Sequence, residues 1–128
     1  MSSKPARGVI VGHGEFATGL LSAVQQICGK MDMFAAVSNR DHTAAELERV
    51  LREHVANGAE IIFTDLPGGS AATAARRVMR DNPELVLVTG ANLAALLEFA
   101  LGERCGPAQA GKTAVAKGRS SMDSSGGK

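Results

Sequence analysis

The sequence predicts an α/β protein with an open four-stranded parallel sheet, in strand order 2-1-3-4, and helices on both faces. Short apolar runs alternate with segments whose apolar residues recur at helical spacing, which is typical of consecutive β-α units. The chain has 128 residues, 45% of them hydrophobic and 21% charged, so a single core of ordinary size accommodates it. Helix-capping residues and glycines separate the segments.

The first half of the chain contains two of these units. Residues 8–12 form an apolar run that predicts a buried first strand, and residues 15–28 predict a helix with one apolar face. Residues 33–37 predict the second strand. A second helix is expected to begin after Thr43, because Thr43 and Glu46 have the spacing of a capping box ahead of another apolar stripe.

The second half contains two more units. Residues 60–64 predict the third strand, and the alanine-rich residues 71–80 predict a helix that packs closely on the sheet. Residues 85–89 predict the fourth strand, after which Asn92 is the expected N-cap of a fourth helix. A weak helix is expected around residues 109–120.

The composition divides the chain into four segments. Residues 1–6 are expected to be a flexible N-terminus and residues 7–104 the α/β domain. Residues 105–120 are expected to form a weak C-terminal helix or an extension of that domain. Residues 121–128 are expected to be a disordered tail, because Gly, Ser and Lys dominate there.

Charge, hydropathy and cysteine spacing argue against several classes of protein. The net charge of +1 gives no electrostatic reason to expect nucleic acid as a partner. The N-terminus lacks a signal-peptide pattern, and no apolar stretch approaches the about 18–20 residues of a membrane span. We therefore expect a cytoplasmic protein without direct membrane insertion. Cys28 and Cys105 lack metal-ligand spacing, and His42 and His54 are expected at the surface, so we expect no metal and no cofactor.

Two polar residues, His13 and Asp65, directly follow the first and third predicted strands. In strand order 2-1-3-4 these strands are neighbours at the point where the order reverses. Ligands of open parallel sheets bind there, outside the carboxyl ends of the strands. We therefore expect the two side chains to share one crevice, where they are the candidate catalytic residues.

This pair has a defined chemistry. A carboxylate that accepts a hydrogen bond from one imidazole nitrogen fixes the tautomer and leaves the other nitrogen free to attack phosphorus. Beside Asp65, the turn formed by Gly68, Gly69 and Ser70 leads into a helix, where unpaired N–H groups and the Ser70 hydroxyl favour an anion. These three are the candidate phosphate-binding residues.

Each of these features also has a plainer interpretation. A histidine after a strand is often only structural, and an aspartate before two glycines is often a turn residue. Residues 12–17 match the dinucleotide pattern G-x-G-x-x-A, but the expected acidic residue at the end of the second strand is absent from Ser38 and Asn39. A small-molecule site in the same crevice stays an alternative.

The sequence resembles the enzyme IIA component of the mannose family of the bacterial phosphoenolpyruvate-dependent sugar phosphotransferase system. The likeness covers about residues 7–121. Its motifs are residues 9–14 (VIVGHG), residues 17–21, Asp65 with Gly68-Gly69-Ser70, residues 90–93 (GANL) and, in a more divergent form, residues 114–119.

The resemblance implies a phosphocarrier domain in residues 7–104 and a homodimer, in several family members with an exchanged C-terminal strand. The histidine that matches His13 accepts a phosphoryl group from the phosphocarrier protein HPr and passes it to a IIB component. The aspartate that matches Asp65 orients this histidine, and the turn that matches residues 68–70 binds the phosphate. A regulatory role, in which phosphorylation of His13 controls a protein partner, stays an alternative to sugar transport.

Overall fold

The computed structural model describes residues 5–103 and 105–128, and within them it contains a parallel sheet in the order β2-β1-β3-β4 with five α-helices. The predicted fold class and strand order are confirmed. In chain order the elements are β1 (Gly8–Gly12), α1 (Phe16–Cys28), β2 (Phe34–Ser38), α2 (Ala44–Ala56), β3 (Ile61–Thr64), α3 (Ser70–Arg80), β4 (Val86–Val88), α4 (Leu93–Leu101) and α5 (Pro107–Ser120).

The helix starts follow the capping signals of the sequence. The Thr43 hydroxyl accepts the Glu46 N–H at 3.1 Å, and the Glu46 carboxylate accepts the Thr43 N–H at 2.8 Å, which completes the predicted capping box of α2. The Asn92 side chain accepts the Ala95 N–H at 3.0 Å and caps α4. Side-chain acceptors thus satisfy donors that a helix start leaves unpaired.

Strand ends differ from the prediction by about one residue. The second strand begins at Phe34, because Met33 belongs to a short 3₁₀ turn, Met31–Met33, that precedes it. The fourth strand lacks both Leu85 and Thr89 of the predicted run. Apolar character predicted where the strands lie, but hydrogen bonding at their ends determines where pairing begins.

The core consists of two apolar clusters, one on each face of the sheet. Alternate residues of β1 point to opposite faces, so Ile10 packs in one cluster while Val9 and Val11 pack in the other. On the Ile10 side, Phe34, Phe63 and Phe99 have ring centroids 5.5–6.1 Å apart. Burial of both faces holds β1 and β3 rigidly at the centre of the sheet.

Helix α5 packs against α4 and β4. The Asn92 side chain donates to the carbonyl of Gly118 at 2.9 Å, and a Cβ on Gly111 would lie 2.7 Å from Val86 Cγ1. The segment therefore forms a longer and better-packed helix than the weak one expected around residues 109–120. The division of the chain into four segments stays a prediction, and residues 1–4 and 104 lie outside the described residues.

The described residues that follow α4 form α5 and no further strand, so the exchanged strand and the homodimer also stay predictions. Among the helices that the structure describes, none combines the length and apolar character that crossing a bilayer requires.

Candidate functional site

The site lies at the carboxyl end of the sheet, where β1 and β3 are paired. Val11 pairs with Thr64 in the register, so the residues that leave these strands emerge side by side. His13 and Asp65 meet there. Oδ2 of Asp65 accepts the His13 backbone N–H at 2.9 Å and lies 2.8 Å from the ring nitrogen Nδ1.

Close packing beneath the pair makes glycine necessary at position 12. A Cβ on Gly12 would lie 2.8 Å from Cγ of Asp65 and 2.7 Å from a ring carbon of Phe16. Both distances are shorter than van der Waals contact, so a larger residue would displace the carboxylate from His13. The glycine of the VIVGHG motif thus permits the contact between strands.

The two partners differ in exposure. The side chain of His13 is 54% exposed, while that of Asp65 is 14% exposed. Oδ1 of Asp65 is buried and has no hydrogen-bond partner among the residues that the structure describes. Both contacts of the carboxylate with His13 are therefore made by Oδ2. The Asp65 carboxylate is therefore largely shielded from solvent, whereas the His13 imidazole is accessible to a partner molecule.

The environment keeps Asp65 ionised. Burial raises the pKa of this carboxyl, but the hydrogen bonds from the His13 N–H and ring, together with the charge of a protonated His13, lower the pKa by more. An ionised carboxylate can only accept hydrogen bonds. When the imidazole is neutral, its proton is therefore on Nδ1, and Nε2 has a free lone pair.

The predicted phosphate-binding turn lies against the imidazole. Gly69 is the N-cap of α3 with a φ of 95°, a conformation that other residues rarely adopt, and a Cβ there would lie 3.6 Å from Cε1 of His13. Ser70 begins α3. A Cβ on Gly68 would meet nothing within 4 Å, so this part of the turn is open. The unpaired N–H groups of the first helical turn make it suitable for an anion.

Two further residues, Asn39 and Arg40, approach the site from β2. The Asn39 N–H donates to the Gly12 carbonyl at 3.0 Å, and the Asn39 amide donates to the Ser70 hydroxyl at 3.1 Å. Nη2 of Arg40 lies 3.2 Å from the position of a Cβ on Gly14. Neither residue was predicted to belong to the site. The strand order could have indicated them, because it places the end of β2 at the same edge of the sheet as the ends of β1 and β3.

The remaining histidines do not join this cluster of contacts. His42 is exposed ahead of α2, and His54 lies in the last turn of α2. In residues 5–103 and 105–128, no three His, Cys, Asp or Glu side chains come together in a group that could hold a metal ion.

Comparisons with known proteins identify the family. The family EIIA-man, described as "PTS system fructose IIA component", matches residues 8–115, where PTS is the phosphotransferase system. No curated protein matches the sequence. The matched range contains every residue of the site described above.

Solved structures share the fold. An EIIA component of the phosphotransferase system from Streptococcus agalactiae superposes with a TM-score of 0.85 at 19% identity, over 93% of this chain and 96% of that one. A mannose/sorbose-specific IIA subunit from Enterococcus faecalis has a TM-score of 0.82 at 20% identity, covering 96% of each chain. A IIA protein associated with the fucose utilization operon of Streptococcus pneumoniae has a TM-score of 0.77 at 22% identity, over 97% of this chain and 96% of that one.

The lowered pKa of Asp65 predicts how pH affects stability. Because this pKa is lower in the folded protein, Asp65 contributes stability that is complete above its unfolded value of about 3.9. That contribution is lost as the pH falls through the folded value. Urea unfolding should therefore show a difference in unfolding free energy between the wild type and Asp65→Asn that is larger at pH 6 than below pH 3.

The control for this experiment is Asp32→Asn, which removes an exposed carboxylate in the turn before β2. A difference between the wild type and Asp65→Asn that is the same at both pH values would show that the carboxylate is not stabilised by His13.

Proposed function

The chain belongs to the EIIA-man family of phosphotransferase-system IIA components, and we propose that within it this protein is a phosphoryl carrier. His13 accepts a phosphoryl group from HPr and passes it to a histidine of a IIB component. The observation that carries the proposal is the contact of 2.8 Å between Nδ1 of His13 and Oδ2 of Asp65, because it leaves Nε2 as the nucleophile.

In the transfer from HPr, the lone pair of Nε2 forms the new bond to phosphorus. The bond between phosphorus and the donor imidazole breaks, and its electron pair returns to the donor nitrogen. Positive charge develops on the His13 ring as the new bond forms. The Asp65 carboxylate, held against Nδ1–H, stabilises that charge and keeps the ring oriented. Transfer to the IIB component is the same process with His13 as the donor.

The turn at residues 68–70 supplies hydrogen-bond donors for the phosphoryl oxygens. The start of α3 lies beside the imidazole, since a Cβ on its N-cap Gly69 would be 3.6 Å from Cε1 of His13, and its first backbone N–H groups are unpaired donors. Asn39 donates to the Ser70 hydroxyl oxygen, and this leaves the Ser70 O–H free to donate to the phosphoryl group. The amide of Asn39 thereby positions the hydroxyl for an anion.

Exposure of the imidazole suits a carrier. A residue that must react with two partner proteins has to be reached by the histidine of each, and His13 is the more exposed member of its pair. The rigid part of the site is buried beneath it. Partner proteins can therefore approach Nε2 without disturbing the contacts of Asp65.

Phosphorylation by purified components tests the assignment of His13. After incubation with phosphoenolpyruvate, enzyme I and HPr, we expect the wild type to acquire one acid-labile, base-stable phosphate per chain. His13→Gln should acquire none. His42→Gln removes an exposed histidine outside these contacts and should be phosphorylated as the wild type is.

An unphosphorylated wild type would refute the carrier function. Phosphorylation of His13→Gln would refute the assignment of His13 as the phosphorylated residue. Adding a cognate IIB component then separates transport from regulation. Rapid loss of the label to IIB supports the carrier proposed here, whereas retention of the label favours the regulatory alternative.

A second variant tests the role of Asp65. Asp65→Asn is nearly isosteric, but its amide can donate to Nδ1 and so stabilise the tautomer in which Nε2 carries the proton. We expect the fold to be retained and the rate of phosphoryl transfer from HPr to fall at least about 100-fold. Rapid-quench measurements on Asp65→Asn and on the control Asp32→Asn would check this. Equal rates would show that Asp65 is only a turn residue.

A further inference from the structure

Phosphorylation of His13 adds negative charge to a site that already contains the Asp65 carboxylate. A phosphoryl group carries about 1.5–2 negative charges near neutral pH, and on Nε2 it would lie across the imidazole ring from the Asp65 carboxylate at Nδ1. The groups proposed so far to bind the phosphoryl group are the backbone N–H groups of the turn at residues 68–70 and the Ser70 hydroxyl, and all of them are neutral. A cation close to His13 would offset the repulsion, so the positions of the basic side chains around the site become important.

The end of β2 places Arg40 beside Gly14, the residue that follows His13. The Asn39 N–H donates to the Gly12 carbonyl, which holds the chain that leaves β2 against the chain that leaves β1. The Arg40 N–H donates to the Ser38 hydroxyl at 3.1 Å. From this anchored backbone the guanidinium extends to within 3.2 Å of the Cβ position of Gly14, the residue that follows His13.

The donors of Arg40 are available. Within the part of the chain that the structure describes, Arg40 forms no ion pair, whereas Arg7, Arg52 and Arg77 each pair with an acidic side chain. Arg76, on α3, donates to the Pro67 carbonyl at 3.0 Å. Arg40 thus has an exposed guanidinium at the edge of the site, and among the described residues this guanidinium forms no ion pair.

We propose that Arg40 is a phosphate-binding residue of this site, whose guanidinium binds the phosphoryl group on His13 together with the turn at residues 68–70. The inference rests on the proposed carrier function and adds a residue to it. The planar guanidinium offers paired donors that match phosphoryl oxygens, which an ammonium does not. Because this contact exists only when the phosphoryl group is present, it favours the phosphorylated form of the protein.

The proposal predicts a change in an equilibrium as well as in a rate. Transfer from HPr breaks the bond between phosphorus and the donor nitrogen and forms the bond to Nε2 of His13. The equilibrium constant of this exchange depends on the stability of the free species and not on how well the two proteins dock. A residue that binds the phosphoryl group changes this constant, whereas a residue that only binds HPr does not.

The test uses the full chain with HPr and measures the equilibrium constant of phosphoryl exchange for four proteins: the wild type, Arg40→Gln, Arg40→Lys and Arg49→Gln. Arg49 is a matched control, because it is an exposed arginine on α2 with no ion pair among the described residues. For Arg40→Gln we expect the constant to fall roughly three- to tenfold, the range for a partly exposed charge-assisted contact. Arg40→Lys should restore part of the loss, and Arg49→Gln should match the wild type.

Three outcomes would overturn the proposal, and they are distinguishable. If the wild type and Arg49→Gln are not phosphorylated, the carrier function itself fails and this inference fails with it. If all four proteins are phosphorylated with the same equilibrium constant and the same rates, only the role of Arg40 is refuted. If Arg40→Gln raises the KM for HPr while the equilibrium constant stays unchanged, Arg40 is a docking residue and does not bind the phosphoryl group.

Discussion

The site depends on one carboxylate oxygen, Oδ2 of Asp65, which is in contact with both the backbone and the ring of His13. Its distances of 2.9 Å to the His13 amide nitrogen and 2.8 Å to Nδ1 join the chain after β1 to the chain after β3. Two contacts to one oxygen fix both the position of the residue and the direction of its ring. Because the Asp65 carboxylate occupies Nδ1, Nε2 is the ring nitrogen that is left free.

The rest of the fold makes this contact possible. Parallel pairing of β1 and β3, buried on both faces, brings the two chain segments to the same edge of the sheet. Gly12 provides the close approach, since a side chain there would occupy the space of the carboxylate. The start of α3, with its free N–H groups, lies at this edge, and the chain that leaves β2 contacts it through the hydrogen bond from Asn39 to Ser70. The ends of β1, β2 and β3 therefore lie at the one edge of the sheet where His13 is found.

The sequence predicted the architecture and the central pair because both follow from patterns that act over short stretches. Apolar runs located the strands, Thr43 and Asn92 located helix starts, and the strand order brought His13 and Asp65 to one edge. The position of Arg40 near Gly14 was not predicted, because it depends on how far a flexible side chain reaches from a loop. The packing requirement at Gly12 likewise follows from the distance between two chain segments, which no local pattern encodes.

The proposed carrier function requires that the Asp65 carboxylate occupies Nδ1 and leaves Nε2 to carry the phosphoryl group. The most direct test is NMR of the phosphorylated protein labelled with ¹⁵N in its histidine rings, since couplings to the ring protons and to phosphorus identify the substituted nitrogen. We expect a single phosphohistidine, at His13, with the phosphoryl group on Nε2. A phosphoryl group on Nδ1 would contradict this expectation, because that product requires the contact with Asp65 to be broken.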